Sequence, residues 1–290
     1  MSLSSAKRVS LVQIAPMALV LVCFVILPLA MILVVSFMDY GFAEVIPEFI
    51  WENYLDIFTS ELTLKLYLQT FKFLAIVWAI TLFLGFTIAY YLMFHVRSPI
   101  VRALCIAACA IPFWTSGPIR MVSWVPLLGR EGLVNQVLLH LHIIEQPLSW
   151  LLYSEFSVIV VYVNVLTLAM LGPIANSMAK IDKNLLHAAR DQGASEGQII
   201  RLVIIPLIKP GIAIGSIFIV TAVMGDFFIV KQMGGGQINT AVGAIATELN
   251  AFQYPPAAAK SVVMLVIVLG FVASLLRVVD IRKERPIRSE

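Results

Sequence analysis

The chain has 290 residues, 60% of them hydrophobic and 13% charged, with a formal net charge of +3. A water-soluble domain of this size cannot hide so large an apolar fraction in one core, so the composition excludes an ordinary soluble fold and points to a membrane. The small positive charge gives no footing for nucleic acid. Cys23, Cys105 and Cys109 are scattered through apolar stretches and form neither a disulfide framework nor a metal spacing; they read as apolar, structural cysteines.

Residues 9–38 form the first element, a charge-free run of 30 residues where about 20 suffice to span a bilayer as a helix. Lys7 and Arg8 precede it as in a signal peptide. The run far exceeds the roughly 7–15 residues of a cleavable apolar region, and no small-x-small site closes it, so it reads as an uncleaved anchor. Val20-Leu21-Val22 before Cys23 lacks the small residues of a lipoprotein cleavage site.

Hydropathy predicts six transmembrane helices, at 12–38, 67–94, 101–125, 156–179, 210–231 and 259–279, in one all-α membrane domain covering 1–290. Pro112, Gly117 and Pro118 interrupt the third, which is expected to be broken or partly re-entrant. Six spans put both termini on one side, and that side collects fourteen Lys and Arg against six on the other. Both termini are therefore predicted to be cytoplasmic. The first outward loop is acidic, with Asp39, Glu44, Glu48, Glu52, Asp56 and Glu61. The second, about 121–155, mixes Pro126, Gly129, Gly132 and Pro147 with Leu127, Leu128, Val137, Leu138 and Leu139. Such an apolar loop is expected to pack on the membrane surface or on a partner.

The loop at 180–206 carries the densest local signals. Asp182 can cap a short helix running to Gln192, and Gly193 can take the left-handed conformation that ends it. Ser195 and Gln198 have capping-box spacing for a second helix with an apolar stripe of Ile199, Ile200, Val203 and Ile204, which Pro206 is expected to end. The result is a helical elbow with Ala188, Ala189 and Ala194 around a glycine corner. It fits two roles, an amphipathic connector in the headgroups or a docking point that another protein can approach closely.

Resemblance favours docking. Ala188-Ala189, Gly193, Val203, Ile205 and Pro206, followed by Pro210-Gly211-Ile212, resemble the cytoplasmic EAA motif of type I ATP-binding-cassette importer permeases of MetI-like architecture. His187 stands where that family usually has glutamate. Ile111-Pro112-Phe113-Trp114-Thr115-Ser116, Ile119-Arg120, the block 187–212, Met224-Gly225-Asp226-Phe227 and Met233-Gly234-Gly235 further resemble the first permease of spermidine/putrescine-type importers.

The resemblance implies a multi-pass permease of the bacterial inner membrane. Its elbow, through His187, Ala188, Ala189, Asp191, Gly193, Ala194, Ser195 and Pro206, would couple to a cytoplasmic ATPase. It also implies a second permease, two ATP-binding subunits that hold ATP and Mg, an extracytoplasmic solute-binding protein, and no cofactor in this chain. Gly234-Gly235-Gly236 is followed by Gln237-Ile238, with no phosphate-loop lysine, so ATP is expected elsewhere. The solute implied is a polyamine or related cation, with opines, amino-acid derivatives and phosphonates as alternatives within the class.

Four residues are candidates for the translocation pathway. Asp226 is a costly charge near the end of a span and either attracts a cation or bonds a neighbouring helix. Trp114 and Thr115 beside Pro112 either line a cavity, where an indole face receives an ammonium group, or anchor the chain at the interface. Asn164 in the fourth span bonds either a helix or the solute. An ion-coupled secondary transporter is the competing class, but Asp226 is the one acidic residue expected within a span and the sequence shows no repeat. A membrane scaffold that only recruits a partner is the third reading. No catalytic residue and no metal site is expected: His95, His140, His142 and His187 lack suitable Cys or carboxylate neighbours.

Overall fold

A computed structural model describes residues 14–41 and 44–278. Lys7, Arg8 and the basic residues beyond 278, on which the orientation expectation leans, lie outside the described residues. Helix α1 (Ile14–Val35) contains a π-helical turn at Val22–Ile26 just before Pro28. Pro28 has no N–H for the carbonyl of Phe24, and the wider turn accommodates that missing bond without breaking the helix. The acidic first outward loop holds a small antiparallel pair, β1 (Met38–Tyr40) and β2 (Val45–Phe49), and a short helix α2 (Glu52–Thr59). Then come α3 (Glu61–His95), α4 (Pro99–Ala110), α5 (Gly117–Val122), α6 (Val125–Leu128) and α7 (Leu133–His140). The remainder is α8 (Glu155–Ala179), α9 (Lys183–Asp191), α10 (Glu196–Gly225), α11 (Phe228–Met233), α12 (Ala241–Asn250) and α13 (Tyr254–Val278).

Five described helices are long and apolar enough to cross a membrane: α1, α3, α8, α10 and α13. The third predicted span is the exception. Its 101–125 window is divided among α4, a 3-10 turn at Ile111–Trp114, α5 and α6. The 12 residues of α4 rise about 18 Å, short of the roughly 30 Å of hydrocarbon, and Gly117 and Pro118 restart the chain in a new helix.

Pro206 also departs from expectation. Instead of stopping the elbow's second helix it lies inside α10, because a π-helical turn at Ile200–Ile204 frees the carbonyl of Leu202 that the proline cannot meet. The fifth span therefore starts at Glu196 rather than at 210, and the second arm of the elbow is the membrane helix itself.

By internal contacts the chain forms two units, one running to Lys65 with Ala244–Val266, the other Leu66–Gly243 with the chain from Ile267 on. In the first, Asn53 on α2 is 5% exposed and donates to the carbonyls of Ser36 at 3.1 Å and Met38 at 2.9 Å, while the hydroxyls of Ser36 and Tyr54 meet at 2.7 Å. Phe37, Phe49, Trp51 and Tyr54 cluster around this joint. Lys260 on α13 pairs with Glu248 on α12.

The second unit is organised around α8 and α10. Met170, Ile174 and Met178 on α8 and Ile208, Ile219 and Met224 on α10 are buried. Small residues let the two backbones approach, as membrane helices do when lipid offers no hydrophobic drive for association. Gly211 faces Pro173 and Ser177, and Gly215 faces Met170. Trp78 on α3 donates to the buried Ser216 hydroxyl at 2.8 Å, and Lys72 and Gln69 on α3 converge on Glu155 at 2.6 and 2.7 Å.

Candidate functional site

The elbow forms from local signals alone. Asp182 Oδ1 accepts from the Asn184 N–H at 2.9 Å and starts α9. Buried Leu186 anchors the helix, whereas His187, Ala188 and Asp191 are exposed. At its end, the Gly193 N–H bonds to the Arg190 carbonyl at 2.8 Å and the Ala194 N–H to the Ala189 carbonyl at 3.0 Å, with Gly193 at φ +82°. This is a Schellman closure, and its left-handed residue is where glycine costs least. Ser195 then starts α10 with a reciprocal capping box: the Ser195 N–H donates to Gln198 Oε1 at 2.8 Å, and the Gln198 N–H to Ser195 Oγ at 3.4 Å.

A side-chain fork closes the corner. Arg190 Nε and Nη2 reach Glu196 Oε1 and Oε2 at 2.8 and 3.3 Å, joining the last turn of α9 to the first of α10. The hydrogen bond to Glu196 holds the Arg190 guanidinium above its ordinary range. Sequence reading missed this pair, because a charge spacing of six residues carries no helical signal and becomes a contact only when the corner bends.

Inside the bend lies a concavity of about 280 Å³ lined by Ala189, Gln192, Gly193, Ala194, Gln198, Ile199, Leu202 and Val203. A Cβ built on Gly193 would meet nothing within 4 Å. The structure thus brings Ala189, Gly193 and Ala194 together at one hollow. His187, Ala188, Asp191 and Ser195 are exposed on the elbow but do not line the hollow, and neither does Pro206, farther along α10.

The four pathway candidates do not converge. Asn164 on α8 lines a cavity of about 700 Å³, mostly apolar, between α8 and the Ile76, Ile80, Leu84 and Ile88 face of α3. Thr167, Cys109, Trp124 and Phe156 complete its polar and aromatic lining. Trp114, 90% exposed, and the exposed Thr115 lie on the turn after α4 and do not line it. Asp226 follows α10, where its Oδ1 accepts from the Ile229 N–H at 2.8 Å and from the Tyr162 hydroxyl at 3.5 Å. Trp124 went unnoticed in the sequence, since only the break after α5 turns it toward α8.

A family model described as binding-protein-dependent transport system inner membrane component matches residues 81–285, most of the chain and all of the elbow. The chain belongs to this family. It is thus a transport permease of the inner membrane rather than an enzyme. The spermidine/putrescine transport system permease protein PotB of Escherichia coli (strain K12) is 34% identical over 252 residues, 85% of this chain and 89% of that one. Among solved structures, a bacterial ABC transporter involved in import of the acidic polysaccharide alginate superposes with a TM-score of 0.76 at 16% identity, over 97% of this permease and 98% of that chain. The bacterial alginate ABC transporter in complex with an alginate pentasaccharide-bound periplasmic protein gives 0.75 at 17% identity, over 94% of each chain. At such identity the likeness is one of fold.

Proposed function

We propose that this permease carries a polyamine or a related cationic solute inward, as one of two permease subunits of an ATP-binding-cassette importer. Its 290 residues form a single permease domain, with both termini and the 180–206 elbow in the cytoplasm. The elbow docks on one of two ATP-binding subunits, which hold ATP and Mg, while an extracytoplasmic protein delivers the solute. The observation that carries this reading is the locked corner. Two capped helices, a Schellman closure and the Arg190–Glu196 fork make an exposed lever whose second arm, α10, is a membrane-crossing helix. A push on α9 therefore reaches the membrane part without a loose joint. The identity with PotB supports the solute class, and the cavity beside Asn164 and Trp124 supports a passage along α3 and α8.

The test is uptake by proteoliposomes holding the permease with its copurified partners and binding protein. Labelled putrescine and spermidine are expected to enter only with ATP, whereas an opine, an amino acid and a phosphonate are not. Preferential uptake of one of those three refutes the solute class. Uptake driven by an ion gradient without the ATPase refutes the transport class.

A further inference from the structure

Helix α2 has three faces. Asn53 and Ile57 are buried, Asn53 bonded to the joint with α1, and Glu52 and Asp56 carry exposed charge. On the remaining side Trp51, Leu55 and Phe58, spaced i, i+4 and i+7, form one apolar stripe, exposed by 59%, 58% and 64%. Phe49, 67% exposed, extends the stripe through its edge contact with Trp51. Trp51 is held in place by a second edge contact with Phe37 and by the bond from its N–H to Glu52.

The depth of this stripe is set by its attachments. Asn53 and Tyr54 clamp α2 to the backbone and hydroxyl of Ser36 at the end of α1, and Ser60 alone separates Thr59 from Glu61, where α3 begins. With eight residues, α2 rises about 12 Å and cannot cross a bilayer itself. It is pinned where the chain leaves one membrane helix and enters the next.

We propose that α2 is a membrane-interface helix, with Trp51, Leu55, Phe58 and Phe49 seated at the boundary between headgroups and acyl chains and Glu52 and Asp56 turned to water. The lipid surface is the occupant that fits, because α2 is clamped to the end of α1, whose apolar window has no buried residue. Trp and Phe are also the side chains that settle at that boundary. Glu52 and Asp56 repel anionic headgroups, so the attachment is apolar and raised salt, which only screens that repulsion, does not release it. The helix then fixes where α1 ends relative to the bilayer and holds the β1–β2 hairpin close to the surface.

The test uses the full chain in phosphatidylethanolamine/phosphatidylglycerol vesicles, alone and in the assembled transporter. Cys23, Cys105 and Cys109 are replaced by alanine, and a nitroxide label is placed at Leu55→Cys, Phe58→Cys or Asp56→Cys. Labels at 55 and 58 are expected to collide several-fold more with oxygen than with a water-soluble nickel chelate, the label at 56 the reverse, with no change at raised salt. Nickel access at 55 and 58 equal to that at 56 overturns the proposal. So does shielding from both reagents, which would mark a protein cover. If the cysteine-free chain does not insert, Trp51→Phe in the otherwise native chain replaces it. Loss of a fluorescence component quenched by brominated lipid is expected, and an unchanged quenching curve overturns the proposal.

Discussion

Gly211 is where the packing of α8 against α10 leaves least room, and replacing it with alanine should separate the two helices. A Cβ at this position would stand 2.4 Å from Ser177 Oγ, 2.5 Å from the Pro173 carbonyl oxygen and 2.9 Å from Ser177 Cβ. Ordinary contacts lie at about 3.5 Å, so the interface must open by about 1 Å. Ser177 can be trimmed, but the Pro173 oxygen belongs to the backbone. The expected cost is about 1–3 kcal/mol, the usual range for overpacking. Gly215 is the control. The Cβ there meets Met170 Sδ at 2.6 Å, but the Met170 backbone stays at 3.4 Å, so rotating a flexible thioether relieves the crowding. Thermal unfolding of purified Gly211→Ala in lipid nanodiscs should show a midpoint several degrees below wild type. Gly215→Ala should fall less, and Ser177→Gly should restore only part of the Gly211→Ala loss. A wild-type midpoint for Gly211→Ala, or complete rescue by Ser177→Gly, would refute the reasoning.

Gly193→Asp should leave insertion intact and cost only about 1–2 kcal/mol of stability, because an L residue is strained at φ +82° while the added Cβ meets open space. Uptake should nonetheless be lost, because charge and bulk would fill the proposed docking hollow; wild-type uptake in vesicles would count heavily against docking there. Asp226→Asn keeps an oxygen for the Ile229 N–H while removing the charge. The transport Michaelis constant for a cationic solute should therefore rise, and unchanged kinetics would assign Asp226 to structure alone. Asn164→Leu makes the cavity wall wholly apolar at that point. Reduced uptake with an unshifted unfolding midpoint is expected, and undiminished uptake would remove the cavity from the pathway.

Much of the site was legible because its signals are local. Asp182, Gly193 and the Ser195/Gln198 box act on backbone groups within a few residues, so the chain itself dictates two capped helices and a left-handed corner. The apolar run lengths behind α1, α3, α8, α10 and α13 are equally local, because a bilayer demands a set number of apolar residues whatever surrounds them.

Other features needed the chain to be folded. Pro206 reads as a stop in sequence, yet the π-helical turn before it carries the helix through, a backbone adjustment that no residue type announces. The Arg190–Glu196 fork joins groups on separate helices. Asn53, a polar residue in an acidic loop, becomes the clamp of α2 only because the Ser36 and Met38 carbonyls come within its reach. Asn164 was visible as a polar residue in an apolar span, but its place in a cavity with Trp124 depends on α3, α8 and the broken segment after α4 meeting. Sequence alone determined the apolar cores of the five long helices and how the elbow is capped, since both follow from short-range chemistry. Tertiary structure decided which distant groups meet, because helix-on-helix contact rests on small residues such as Gly211 and Gly215, whose meaning lies in the partner they face.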